Sequence, residues 1–227
     1  LLYLKQIERF GLSFAGILRK EDIETNFSGG SVSDRILTLL TQYELNPGRL
    51  YRVKQEHSDN IYVIDNKEKT EQIPADGIIT NIPGVTLCIS IADCVPVFIF
   101  DAKAKILGVI HAGREGTRKR IVQKALEILT SKFKSNKKDI IALIGPSIGP
   151  CCYYLPDDLL NLCKKEGLII SERKTLDLWI SNEKQFVDYG INKQNIFIFN
   201  ECTFCNDDYY SYRRGDKKSR NYAVAMI

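Results

Sequence analysis

The amino-acid sequence predicts an α+β protein built on a mixed sheet. Short apolar runs of strand length crowd the first half of the chain, whereas amphipathic helical patterns alternate with strands only in the second half. A regular doubly wound fold would alternate from the start. No stretch of 18 or more apolar residues occurs: the longest candidate, 85–100, is interrupted by Asp93 and Pro96 and divides into strands and a turn.

Taken in order, 12–18 reads as a strand and 33–43 as a helix with Ile36, Leu39 and Leu40 on one face. Strands follow at 50–55, 61–64, 77–80, 85–91, 95–100 and 106–110. The strongest periodicity runs over 117–133, where Ile121, Val122, Ala125, Leu126, Leu129 and Phe133 recur at core-facing spacings of a single helix. A strand is predicted at 140–144. A helix at 156–166 has proline in its first turn and Gly167 just past its end, and another at 176–189 stops at Gly190. Strands at 196–199 and 222–227 complete the set. There is no repeat, low-complexity tract or linker, so one domain is expected over 1–227.

Composition narrows the function classes. The 227 residues are 44% hydrophobic and 26% charged, as in an ordinary globular protein. The net charge of +4, from 32 basic and 28 acidic residues interspersed along the chain, does not argue for nucleic acid. The one basic cluster, Arg213, Arg214, Lys217, Lys218 and Arg220, is a candidate phosphate site. No membrane span and no signal-peptide pattern is visible, so the cytoplasm is the expected location. An odd number of cysteines, seven, suits reduced thiols or metal ligands better than a disulfide framework.

Histidine is scarce. The chain has two, His57 and His111, each at the end of a predicted strand, and Cys94 stands between them in Ala92-Asp93-Cys94-Val95-Pro96, where the proline is expected to end regular pairing and turn the thiol outward. Two imidazoles and a thiolate suffice for zinc, with a fourth position left for water or substrate. The sequence separations match no local zinc motif, and a strand-end histidine is as a rule structural, so the triple requires the fold to gather it. Asp93 is the candidate carboxylate behind a ligating imidazole. After His111, the turn through Gly113 into a helix at Thr117 points amide groups and a helix dipole toward the same place, an expected anion site.

Other motifs carry less. Gly145-Pro146-Ser147-Ile148-Gly149 matches the hydrolase elbow, but Pro150, Cys151 and Cys152 follow where a helix is needed, and no histidine lies downstream. Cys202-Thr203-Phe204-Cys205 is half a zinc site, but no second spaced pair completes it, since Cys151 and Cys152 are adjacent, so buried thiols are expected. The His-x-Glu of zinc nucleoside deaminases is absent.

Several motifs in order resemble one family. Ala75-Asp76-Gly77, Ile91-Ala92-Asp93-Cys94-Val95-Pro96, His111-Ala112-Gly113 with Gly116-Thr117, Ile144-Gly145-Pro146-Ser147-Ile148-Gly149-Pro150 and Tyr210-Ser211-Tyr212-Arg213-Arg214 look like those of the YfiH-like proteins, variously called laccase-domain polyphenol oxidases and purine nucleoside phosphorylases. The resemblance covers nearly the whole chain from about residue 50. It departs at Arg114-Glu115, where the family has Trp-Arg, and at His57, which is followed by Ser58 and not glycine.

The resemblance implies an α/β/β/α sandwich related to a bacterial toxin's cysteine-hydrolase domain, with His57, Cys94 and His111 as metal ligands and catalytic residues. It also implies zinc-dependent phosphorolysis of purine nucleosides such as inosine, adenosine or methylthioadenosine, and deamination of adenosine. Phosphate would be held by Arg213, Arg214, Gly113 and Thr117, and the protein would be a monomer or small homo-oligomer. The alternatives are a copper polyphenol oxidase and a metal-free Cys/His amidase in peptidoglycan editing. A multicopper cluster needs more imidazoles than two, and the axial methionine of a single copper could only be Met226.

Overall fold

The computed structural model describes residues 1–5, 10–26, 29–65 and 73–227. In chain order the elements are β1 (Leu2–Tyr3), β2 (Phe14–Leu18), α1 (Lys20–Asn26), α2 (Val32–Gln42), β3 (Arg49–Arg52), β4 (Ile61–Ile64), β5 (Gly77–Thr80), β6 (Val85–Ile91), β7 (Val95–Asp101) and β8 (Ile106–Ala112). They continue as α3 (Arg114–Arg118), α4 (Ile121–Ser131), β9 (Ile140–Ile144), α5 (Asp157–Lys165), β10 (Ile169–Ile170), β11 (Leu176–Asp177), α6 (Leu178–Tyr189), β12 (Ile196–Ile198) and β13 (Asn221–Met226). No helix among the described residues is long and apolar enough to cross a membrane.

Two mixed sheets pack face to face, one ordered β1-β2-β13-β6-β3 and the other β12-β9-β7-β8-β5-β4, with β10 and β11 as a small separate pair. Side-chain alternation makes the layers. Along β13, Ala223 and Ala225 enter the core between the sheets, while Tyr222, Val224 and Met226 face α2 through Ile36, Leu39 and Leu40. Along β7, Phe98 and Phe100 enter the inter-sheet core, and Val97 and Ile99 face α4 and α6. The result is the expected α/β/β/α layering, and strands covered on both faces explain why β7 and β9 read as nearly continuous apolar runs and β5 and β6 as largely apolar ones.

Local chemistry sets the element ends. α2 opens on a capping box in which Ser31 Oγ accepts from the Asp34 amide and the Asp34 carboxylate accepts from the Ser31 amide. α6 starts at Asp177, whose carboxylate caps the Ile180 amide, and stops at Gly190 with φ at 96°.

The single helix expected over 117–133 is two. Gln185 Nε2 and the Arg120 amide take the Thr117 carbonyl, which a continuous helix would give to Ile121, and Arg120 turns left-handed (φ 62°) before α4 begins. Pairing also runs straight through Pro96, opposite His111, instead of ending there, because the proline sits at the start of β7, where its missing amide costs least. The helix expected from residue 176 begins at Leu178, and β1, α1, β10 and β11 had no expectation.

The chain crosses between the two sheets three times at one end of the sandwich. β3 leads to β4 through the loop that carries His57, β6 to β7 through the turn that carries Cys94, and β12 to β13 through 199–220. β8 ends at the same place with His111, whose strand partner opposite β7 is Pro96.

Candidate functional site

At this end of the sandwich the two histidines and Cys94 meet. Cys94 Sγ lies 3.9 Å from His57 Nε2, the His57 and His111 rings are edge-to-face at 5.0 Å, and all three candidate ligand atoms fall within 4.8 Å of one another. His111 is buried, Cys94 half-buried and His57 exposed. Two backbone features bring them together. Asp93 turns the β6–β7 corner with φ at 82°, and His57 itself is left-handed at 56°, a conformation most residues avoid and that persists only when its surroundings enforce it.

Asp76 does the enforcing. Fully buried, its carboxylate accepts from the successive amides of Glu56 (3.2 Å), His57 (3.1 Å) and Ser58 (2.7 Å), from Ser58 Oγ (2.7 Å), and from His111 Nδ1 (2.8 Å). The loop thus forms an anion nest around a carboxylate of its own protein. Burial would raise the Asp76 carboxyl, but bonds to His111 and Ser58 outweigh it and hold the group far below the usual carboxylate range. With Nδ1 donating to Asp76, His111 presents Nε2 toward Cys94.

The electrostatics follow. Burial works to raise the Cys94 thiol, yet the charge of His111 and hydrogen bonds to both imidazoles bring it down to about 6. Burial alone would depress His111, but the Cys94 thiolate and Asp76 push it up to about 9. His57 is also raised, first by its hydrogen bond to Cys94. The metal-free arrangement is therefore a thiolate held by imidazolium.

The donor set fits a metal. Tetrahedral zinc with one sulfur and two nitrogen ligands places sulfur and nitrogen about 3.6 Å apart, close to the observed separation. Gly113 keeps the place open, since a Cβ there would lie 2.8 Å from Cys94 Sγ and 3.5 Å from the His57 ring.

The triple forms part of the wall of a cavity of about 630 Å³, a size suited to a small organic ligand. Val53, Ile148 and Leu178 give it apolar surface, Tyr153 and Tyr212 give rings, and Arg213 and Arg220 give positive charge. Arg213 Nη1 donates to the Tyr154 carbonyl and its guanidinium lies over the Tyr153 ring, while Arg220 donates to the carbonyls of Lys217 and Ser219.

Several expected site residues do other work. Asp93 touches neither imidazole: it accepts from Thr203 Oγ1 and the Arg213 amide, both at 2.7 Å, and so anchors the C-terminal segment, while Asp76 is the carboxylate on His111. Thr117 is buried inside the five-residue α3, which starts at Arg114, and it donates to the Ala112 carbonyl and accepts from Asn182, so it does not open the helix. Arg214 is spent on the carbonyls of Thr203, Phe204, Asn206 and Tyr209, and it pairs with Asp207 and Asp216.

Ser147 is buried and accepts from Trp179 Nε1, so it is no nucleophile. Met226 packs beside Phe14 and Val224 on the α2 side of its sheet, out of the cavity wall. Cys202 is buried as expected, but Cys205 is exposed.

A family profile described as multi-copper polyphenol oxidoreductase laccase matches residues 28–227. A Bacteroides thetaiotaomicron protein named purine nucleoside phosphorylase is 32% identical over 200 residues, covering 80% of this chain and 74% of that protein. A human protein named purine nucleoside phosphorylase LACC1 is 31% identical over 195 residues, covering 81% of this chain and 44% of the human one. Among solved structures, Bacillus licheniformis YfiH superposes with a TM-score of 0.83 at 22% identity over 99% of this chain and 96% of that one. Geobacillus stearothermophilus YlmD superposes at 0.80 and 24% identity, over 94% and 91%.

Proposed function

Because the chain belongs to the YfiH-like, laccase-domain family, we propose that it is a zinc-dependent purine nucleoside phosphorylase that also deaminates adenosine. The observation that carries this reading is the convergence of His57, Cys94 and His111 in the wall of a cavity that also offers aromatic rings and two arginines. The names of the relatives, purine nucleoside phosphorylases, support the substrate class.

Zinc held by His57 Nε2, Cys94 Sγ and His111 Nε2 would supply a Lewis acid with one open position for a substrate oxygen. Asp76 fixes the His111 tautomer so that Nε2 is free to bind, and it holds the His57 loop in place. Arg213 and Arg220 form the wall that receives phosphate, since neither pairs with a carboxylate among the described residues. Tyr153, Tyr212, Val53 and Ile148 give the purine a face to rest on. Inosine, adenosine and methylthioadenosine are the substrates to try first.

The description of the matched family favours a second reading, copper-dependent oxidation of phenols. Two histidines in the whole chain exclude a multinuclear copper cluster, and Met226 is turned away from the triple, so any copper chemistry would rest on the three ligands alone. Zinc-loaded protein given inosine and phosphate should release hypoxanthine, with no oxygen uptake when a phenol is supplied. Full phosphorolysis by Cys94→Ala would overturn the assignment, and phenol-dependent oxygen uptake by copper-loaded protein would favour the second reading.

A further inference from the structure

Four of the seven cysteines gather away from the triple, where the loop from β9 to α5 lies against the segment between β12 and β13. The sulfur atoms of Cys151, Cys152, Cys202 and Cys205 all lie within 4.8 Å of one another. Cys205 Sγ is 3.6 Å from Cys151 Sγ and 3.3 Å from Cys152 Sγ. Four thiolates around tetrahedral zinc stand about 3.8 Å apart, so shifts of about an ångström or less complete that geometry.

Backbone hydrogen bonds build the arrangement without help from the sulfurs. Ser147 and Cys202 form a parallel bridge in which the Ser147 amide donates to the Glu201 carbonyl at 3.2 Å and the Thr203 amide to the Ser147 carbonyl at 3.0 Å. Just beyond it, the amides of Cys152 and Tyr153 both close on the Gly149 carbonyl, a tight turn that brings the adjacent Cys151 and Cys152 to the same partner, Cys205.

Two further contacts suit negative charge on the sulfurs. The Gly149 amide donates to Cys202 Sγ at 3.2 Å, and the Arg214 guanidinium is fastened to the carbonyls of Thr203 and Phe204 inside the Cys-x-x-Cys loop, each at 3.1 Å.

All four cysteines are free thiols in the structure. Consecutive Cα atoms in a trans chain are about 3.8 Å apart, short of the range a disulfide spans, so Cys151 and Cys152 do not bridge each other. Two bridges from this pair to Cys202 and Cys205 would use all four thiols, and the test below reads for them.

We propose that Cys151, Cys152, Cys202 and Cys205 form a closed four-cysteine zinc site, separate from the His57, Cys94 and His111 triple. With all four positions taken by protein, its role is to fasten two segments together and not to activate a substrate. Those segments carry Ile148, Tyr153, Tyr212 and Arg213, so the ion fixes the wall of the cavity opposite the strand ends. The spacing of the cysteines hides the site, because the local pair Cys202-x-x-Cys205 is completed by two neighbours in sequence and not by a second spaced pair.

The test removes the other centre first. Protein carrying Cys94→Ser and His111→Ala, prepared under reducing conditions, should retain one zinc per chain by elemental analysis. Cobalt exchanged into it should give the visible bands and sulfur-to-metal charge transfer of a tetrahedral thiolate site. Adding Cys152→Ser and Cys205→Ser should abolish both signals.

A second measurement applies whether or not these variants fold: cobalt titrated into metal-free parent protein should protect Cys151, Cys152, Cys202 and Cys205 from alkylation, read by peptide mass spectrometry. The proposal fails if the folded Cys94→Ser, His111→Ala protein holds no metal. It also fails if cobalt leaves these four thiols as reactive as before, or if the reduced protein carries a disulfide among them.

Discussion

Replacing Asp76 by asparagine tests the central piece of the site. The carboxylate uses Oδ1 for the His57 amide and His111 Nδ1, and Oδ2 for the Glu56 amide, the Ser58 amide and Ser58 Oγ. Asparagine has one acceptor oxygen, so whichever way it turns, its amino group meets two N–H donors. If it faces Glu56 and Ser58, the loop that carries His57 loosens. If it faces His111, the ring must shift its proton to Nε2, the atom required for the metal. Either way about two charge-assisted hydrogen bonds of a fully buried group are lost, each worth about 1.5–3 kcal/mol, or about 3–6 kcal/mol in all. That is a large share of a typical stability of about 5–15 kcal/mol. For metal binding, loss of a carboxylate behind a ligating histidine costs about 10–100-fold in affinity. Competition against a chromophoric chelator measures the affinity, and denaturant melts with and without EDTA separate loss of metal from loss of fold. An Asp76→Asn protein that binds zinc within twofold of the parent and unfolds at the same denaturant concentration would refute the reasoning.

Three other outcomes follow from the same geometry. In metal-stripped protein, alkylation of Cys94 should rise through a pH of about 6 and level off near neutrality, because the lowered thiol is deprotonated above that point; a profile still climbing at pH 8–9, where an ordinary thiol ionises, contradicts it. Since His111 is raised to about 9 in that state, zinc binding near neutral pH must displace its proton, and affinity should strengthen as pH rises from 6 to 9, as calorimetry in buffers of different ionisation heat will show. Gly113→Ala places a methyl group 2.8 Å from Cys94 Sγ, so metal affinity should fall about tenfold or more while circular dichroism stays that of the parent; an unchanged cobalt spectrum counts against the close contact.

Legibility in the sequence divided along physical lines. The strands 77–80, 85–91 and 140–144 are found at the boundaries expected, because inner strands buried on both faces leave largely apolar runs that end where the core ends, and the partly buried edge strand 61–64 is found at its expected bounds too. The break between α3 and α4 carries no such mark: the left-handed residue is an arginine, and the cause, Gln185 holding the Thr117 carbonyl, lies 68 residues away. β1, β10 and β11 have two residues each, too few to show a period. The three site residues stood out by scarcity and by the family resemblance. Their partner did not. Asp93 was favoured for being next to Cys94, whereas Asp76, one residue ahead of β5, reaches His111 across a strand pair. Adjacency along the chain also misled for Cys151 and Cys152, since a tight turn makes neighbours in sequence share one partner in space.

The strand order of the five-stranded sheet bears on how the molecule assembles. β2 and β6 each pair with β13 and not with each other, so the strand latest in chain order holds the middle place. Until Asn221–Met226 has emerged during synthesis, that sheet remains two unjoined halves with open edges, exposed to mispairing. Deleting those few residues would therefore divide the layer in two instead of trimming its margin.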